Sequence, residues 1–428
     1  MRIERLGDLG SAPGVLRAVA AAAEARGLAP PAALIGEWFG SGAIIAPSLT
    51  ASPVTSGDFG ALTGVERGVA RPTHSEAVGG GWFGYLSYPD DAADGAPARI
   101  PEAAGGGSDC VLRQDDDGQW WYESLSGAAL SDWVDEAVRN PLPASDYGIT
   151  WDAADRDWHR WGVLECLEAI AAGEIYQACV CTQFTGALDG LPIDFFVDVA
   201  ERTSPARAAY LAGDWGAVAS FSPELFLRRV GEQVMSSPIK GTLPRSADPS
   251  VLRASVKDVA ENIMIVDLVR NDLSRVAATG SVTVPELLAV RPAPGVWHLV
   301  STVSARVPVE LPMGALLDAT FPPASVTGTP KARARELLTG WERRRRGVYC
   351  GTVGLASPMA GCDLNVAIRT VEFAADGSAV LGVGGGITAD SDPDREWDEC
   401  LHKSAPIVGL TRKGDTARAA SRPIVRVR

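Results

Sequence analysis

The chain has no run of 18 consecutive apolar residues, so no helix is expected to cross a membrane. Its start lacks a secretory pattern: the alanine-rich stretch from Val15 to Ala25 is interrupted by Arg17 and Glu24 and reads as an amphipathic helix. Cysteine is sparse. Seven among 428 residues, odd in number and scattered, argue against a disulfide framework and place the expected compartment in the cytoplasm. Positive charge is also short, with 39 lysines and arginines against 53 acids and a net charge of −14. That balance is wrong for a surface tracking a phosphate backbone, so no nucleic-acid partner is expected. The one dense basic run, Arg343 to Arg346, reads as a solvated loop. Internal repeats are absent.

What remains is an ordinary globular composition, 46% hydrophobic and 21% charged, with ample material for a core. Residues 1 to about 75 read as a helix followed by short strands. Gly79-Gly80-Gly81-Trp82-Phe83-Gly84-Tyr85 opens an aromatic strand. Its glycines lack the helix and Lys-Ser/Thr that a phosphate loop needs. Residues 89 to 118, rich in Ala, Gly, Pro and Asp, read as a solvated loop. The Pro-rich stretch 141–146 is the best boundary, dividing an N-terminal portion (1–145) from a second portion (150–410) and a basic tail (411–428). A helix is expected from Asp155 to Ala172, its apolar stripe formed by Trp158, Trp161, Leu164 and Leu167. Gly173 ends it, and Gln177 lies in the next strand. Cys179 and Cys181 face one side of that strand. With no second pair at ligand spacing they read as buried thiols rather than a zinc site.

The organising stretch is Ser220 to Arg245. Glu224 stands at the Pro-led start of one strand, Gly231 sits in a turn, and a second strand ends in the kinked Pro238-Ile239-Lys240-Gly241-Thr242. A hairpin folded about Gly231 brings Glu224 and Lys240 near one another. Spacing alone leaves two readings open, a cross-strand surface ion pair or an acid beside a nucleophile. A long helix from Val259 to Leu273 puts Glu261, Leu268 and Asp272 on one face, with Ile263 and Val266 elsewhere. A last helix carries Glu396 and Glu399, three apart on one face. These acids are hard oxygen donors of the kind Mg²⁺ takes, and equally the kind any helix surface carries.

Ser-Pro-Glu at 222–224 followed by Pro238-Ile239-Lys240-Gly241-Thr242 resembles the core of the chorismate-utilising enzymes. The likeness spans residues 155 to 408 and, more thinly, 78 to 88. It includes Glu-Ile-Tyr-Gln at 174–177, the run Glu261 to Leu273, His-Leu-Val-Ser at 298–301, Val-Thr-Gly-Thr-Pro-Lys at 326–331, Asn-Val-Ala-Ile-Arg-Thr at 365–370 and Gly-Gly-Gly-Ile-Thr at 384–388. The resemblance implies an α+β fold of two large antiparallel β-sheets packed face to face with helices outside, both chain halves contributing strands, so that residues 1–145 are the looser part of one intertwined domain. It implies Mg²⁺ held by Glu261 and Glu399 with Glu396 beside them, anchoring the substrate's C1 carboxylate. Arg369 resembles the arginine that grips the enolpyruvyl carboxylate, a task suited to a planar fork. Gly384, Gly385 and Gly386 resemble the backbone donors next to it. Tyr349, His298, Thr242, Thr327, Gly328 and Lys403 also fall on the family's substrate pocket.

Two positions speak to branch. Isochorismate and salicylate synthases place a water-activating lysine where this chain has Gln177. Anthranilate synthases usually have alanine where it has Lys240. A lysine there resembles the aminodeoxychorismate synthase component I branch, in which it adds to C2 of chorismate while Glu224 protonates the departing C4 hydroxyl. Such a lysine must be neutral part of the time, which burial and nearby positive charge would favour. The resemblance further implies ammonia from a separate glutamine amidotransferase subunit, since no such domain is legible. The tryptophan-binding Leu-Leu-Glu-Ser of some relatives is replaced by Ala33-Leu34-Ile35-Gly36-Glu37-Trp38. Anthranilate synthase component I and a non-catalytic binding homologue are the alternatives.

Overall fold

The computed structural model describes residues 1–55, 77–90, 95–140 and 146–411. Of the proposed boundary at 141–146 all but Asp146 falls outside them, as does the tail beyond 411. Two antiparallel sheets dominate the described residues. The first has twelve strands; its order runs Arg2–Gly7, Trp120–Ser124, Cys110–Gln114, Ser41–Ala46, Ala32–Trp38, Arg207–Gly213, Gly216–Ser222, Thr370–Ala374, Ser378–Ile387, Gln177–Asp189 and Gly328–Thr329, with Gly148–Trp151 also on Gln177–Asp189. The second has ten. Its centre is Leu225–Val230, Gly361–Asn365, Thr352–Ser357 and Gly81–Leu86, and one end carries Val296–Arg306 and Ile239–Pro244.

The sheets share a core in which Leu34, Ile44, Leu211 and Val218 of the first meet Phe83, Tyr85, Val353 and Leu355 of the second. Helices cover the outer faces. Ala12–Glu24, Pro192–Thr203 and Pro393–Val408 pack on the first sheet through Leu16, Phe195, Phe196 and Cys400. Val256–Ser274 and Met313–Thr320 cover the second through Ile265, Leu273 and Leu316. This is the expected two-sheet α+β sandwich. No described helix is long and apolar enough to span a membrane. All seven cysteines are free thiols.

Several local expectations are corrected. A strand, Arg2–Gly7, precedes the first helix. Residues 103–108 and 110–114 are strands, not solvated loop. Their glycines mark close packing: a Cβ on Gly105 would stand 2.1 Å from the Trp82 ring, and one on Gly106 2.2 Å from the Thr50 carbonyl oxygen. Helix Arg156–Ala171 buries His159, Val163 and Cys166, while Trp161 and Leu164 are exposed. The tryptophans form a surface pair instead, ring centres 4.8 Å apart. Val266 belongs to the buried face of its helix. Within the basic run, Arg346 is wholly buried. It is ion-paired to Glu342 at 2.6 Å and donates to the carbonyls of Val326 and Cys179.

Candidate active site

The hairpin about Gly231 forms as expected, with Val230 opposite Gln233. Its second arm, however, is two strands. Gln233–Ser237 stops at Pro238, which has no N–H to donate, and Ile239–Pro244 re-pairs with Val296–Arg306. Gly241 sits at φ +80 and packs on the first turn of helix Val256–Ser274, where an added Cβ would stand 3.1 Å from Asp258. This kink delivers Lys240 to the end of the first sheet.

There, strand Ser378–Ile387 offers bare backbone. A Cβ on Gly386 would lie 3.1 Å from Lys240 Nζ, 3.5 Å from Gln177 Oε1 and 3.8 Å from Glu261 Oε2. One on Gly385 would lie 3.1 Å from Glu396 Oε2, 3.8 Å from Lys403 Nζ and 4.0 Å from Glu399 Oε1. Thus two neighbouring glycines form the floor on which Lys240, Gln177, Lys403 and three carboxylates converge. Gln177 is 1% exposed and its Oε1 has no hydrogen-bond partner.

Glu224 is 3% exposed. Burial pushes its carboxyl up to about 7, against the opposing pull of the Ser325 hydroxyl, the Lys240 ammonium and the Ile239 amide. The Ser325 Oγ lies beside it without reaching hydrogen-bond geometry. The Glu224 carbonyl accepts from Val366 N–H at 3.0 Å, which ties it to the segment leading to Arg369. The Lys240 charge acts on Glu224, Glu261 and Glu399, and the Lys403 ammonium stands at the same glycine floor and acts on Glu224 as well.

Among the metal candidates, Glu261 and Glu396 are buried, while the Glu399 side chain is 50% exposed. Glu396 shares the Lys257 ammonium with Glu261, and Glu399, the ligand the sequence reading favoured, faces the same glycine floor. Burial raises Glu261 against the pull of Lys240 and Lys257. For Glu399 burial works in the same direction, but Lys403 at 2.7 Å outweighs it and holds the carboxyl low. Among the described residues no three acid, His or Cys side chains stand as a ready metal cluster. Instead, Lys257 Nζ is 3.2 Å from Glu396 Oε1 and 3.8 Å from Glu261 Oε1. The Oε1 of Glu261 is buried and accepts no hydrogen bond. Hard, partly unsatisfied oxygens of this kind fit a magnesium ion.

The other predicted residues fall into two groups, of which Lys403 also reaches the glycine floor. Arg369 ends the strand expected over 364–370: Gly361–Asn365 stops, Arg369 turns at φ +51, and Thr370 begins the next strand. Among the described residues its guanidinium has no carboxylate partner, and burial lowers its pKa. Its charge reaches His298, which burial and that charge bring down to about 4, so the imidazole is neutral near pH 7. His298 Nδ1 and the exposed Thr242 Oγ1 are 3.0 Å apart. In the second group, Tyr349 precedes the strand expected to hold it, buried against Gly382, with its hydroxyl pKa raised by burial. Thr327 Oγ1 donates to the Pro323 carbonyl at 2.8 Å. Gly328 lets its strand touch Gln177 and Ala178, for a Cβ there would be 2.6 Å from the Gln177 carbonyl oxygen. Lys403 donates to the Gly384 carbonyl at 2.9 Å.

Lys257 and Ser325 were not singled out from the sequence. Lys257 left a signal, standing one helical turn before Glu261. Ser325 left none.

The sequence profile of the chorismate binding enzymes matches residues 60–409, and the chain belongs to that family. It is 35% identical over 393 residues to aminodeoxychorismate synthase component 1 of Escherichia coli (strain K12), covering 85% of each protein. Two solved structures share the fold. Anthranilate synthase component I from Streptococcus pneumoniae TIGR4 matches with a TM-score of 0.68 at 24% identity, covering 82% of this chain and 85% of that one. The menaquinone-specific isochorismate synthase MenF from Escherichia coli matches with a TM-score of 0.70 at 18% identity, covering 95% and 94%.

Proposed function

We infer that this chain is the chorismate-converting component of an aminodeoxychorismate synthase, turning chorismate and ammonia into 4-amino-4-deoxychorismate. The observation that carries the reading is Lys240 Nζ at the Gly386 floor, with a buried Glu224 in its field, in a chain 35% identical to that E. coli component. Lys240 forms a bond from Nζ to C2 of chorismate as the ring double bonds shift and the C4–O bond breaks. Glu224, protonated up to about pH 7, gives the leaving hydroxyl its proton, so that water departs and Glu224 is left as the carboxylate, reprotonated before the next turnover. Ammonia then bonds to C4, the double bonds shift back, and the C2–N bond to Lys240 breaks, restoring the free lysine. Lys240 loses one proton before it attacks and regains one as it leaves.

Glu261 and Glu396, with Glu399 at the rim, would hold Mg²⁺. When bound it supplies positive charge to the substrate's C1 carboxylate. Arg369, without a carboxylate partner among the described residues, suits the enolpyruvyl carboxylate. Ammonia is drawn from a glutamine amidotransferase partner, in keeping with the component naming of the relative.

The test is product analysis with chorismate, Mg²⁺ and an ammonium salt. A product that a lyase converts to 4-aminobenzoate, absent with Lys240→Ala, supports the reading. Fluorescent anthranilate from the wild type would move the assignment to anthranilate synthase component I.

A further inference from the structure

Lys257 occupies an unusual place for a lysine. It is the second residue of helix Val256–Ser274, whose start is capped by Ser255 accepting from the Asp258 N–H. The positive end of the helix dipole disfavours a cation there. Its stem lies at the surface, with the side chain 41% exposed, yet its head turns inward to Glu396 at 3.2 Å and Glu261 at 3.8 Å. Those carboxylates come from different helices, and both are buried. Ser391 Oγ donates to Glu396 Oε1 at 2.7 Å, whereas Glu261 Oε1 is left without a hydrogen bond. Two buried acids facing one ammonium make a cation site that the protein fills from within.

A divalent ion on the same oxygens and the Lys257 ammonium would repel one another, so both cannot stay. The flexible four-carbon stem gives the lysine an exit to solvent. We propose that Lys257 is an internal counter-ion that holds Glu261 and Glu396 together in the metal-free protein and is displaced when the divalent ion binds. This rests on the metal assignment above and adds to it an exchange step. The ion's affinity is set partly by what it must evict.

Calorimetric titration of Mg²⁺ into the full-length wild type, Lys257→Gln and Lys257→Arg, without chorismate, tests the exchange. Thermal melts with and without Mg²⁺ accompany it. Lys257→Gln is expected to bind Mg²⁺ more tightly by on the order of tenfold, the size of a lost competing ion pair. Without metal it should melt below the wild type, and Mg²⁺ should close that gap. Lys257→Arg should keep the wild-type affinity. Equal or weaker Mg²⁺ binding by Lys257→Gln overturns the exchange and leaves the metal assignment standing. No Mg²⁺ binding by any of the three overturns both.

Discussion

At the scale of single residues, the active site is costly to the fold. Glu224 is raised from an ordinary 4.5 to about 7 chiefly by burial, so the folded state holds a proton that the unfolded chain would release. Stability from this group is fully present below pH 4.5 and is lost as the pH rises through about 7. The loss is on the order of 3 kcal/mol, at about 1.36 kcal/mol for each pH unit between the two values. Glu224→Gln should therefore melt higher than the wild type at pH 8 and gain nothing at pH 4, by calorimetry at both. The same substitution should lower kcat by roughly 10²- to 10⁴-fold, the range for a general acid. At constant free ammonia, wild-type kcat should fall above about pH 7, and that limb should vanish in the variant.

At the scale of strands and helices, two glycines of similar appearance serve different ends. An added methyl on Gly328 meets the backbone of Gln177 at 2.6 Å, which cannot yield, so Gly328→Ala should lose several °C of Tm. On Gly386 it meets the ends of Lys240 and Gln177, which can move, so Gly386→Ala should keep its Tm while the KM for chorismate rises at least tenfold. Thermal melts and steady-state kinetics on both variants separate the roles. The sequence carried much of this level. The hairpin turn, the long helix with Glu261 and the last helix with Glu396 are local patterns that formed, although Pro238 split the hairpin's second arm and the long helix begins at Val256. Tertiary context decided the rest. Gly105 and Gly106 carry a loop's composition but serve sheet packing. The run Arg343 to Arg346 reads as uniformly polar, yet Arg346 is buried because Glu342 and two carbonyls meet its guanidinium. Removing it as Arg346→Met would strand Glu342 and should cost about 3–5 kcal/mol in a denaturant titration.

At the scale of the molecule, the portions on either side of residue 145 are interleaved in both sheets. Strand Ala32–Trp38 pairs with Arg207–Gly213, and Gly81–Leu86 pairs with Thr352–Ser357. Both contacts lie inside the sheets, so residues 146–428 expressed alone would expose two interior strand edges. Such a fragment should aggregate or lack a cooperative melt, as size-exclusion chromatography and circular dichroism would report; a soluble, cooperatively melting fragment would refute this. Which strands lie side by side at such separation is invisible to periodicity, and only the family resemblance supplied it.

That interleaving also sets a clock on synthesis. Cys181 pairs with Gly384, about 200 positions later, which is on the order of ten to forty seconds at ribosomal speed. Throughout that interval the strand bearing Gln177 has emerged, but the glycine floor beside it has not. Every newly made copy thus passes through a stage with a bare apolar strand and no site, and the speed of translation and the help of holdases become determinants of yield.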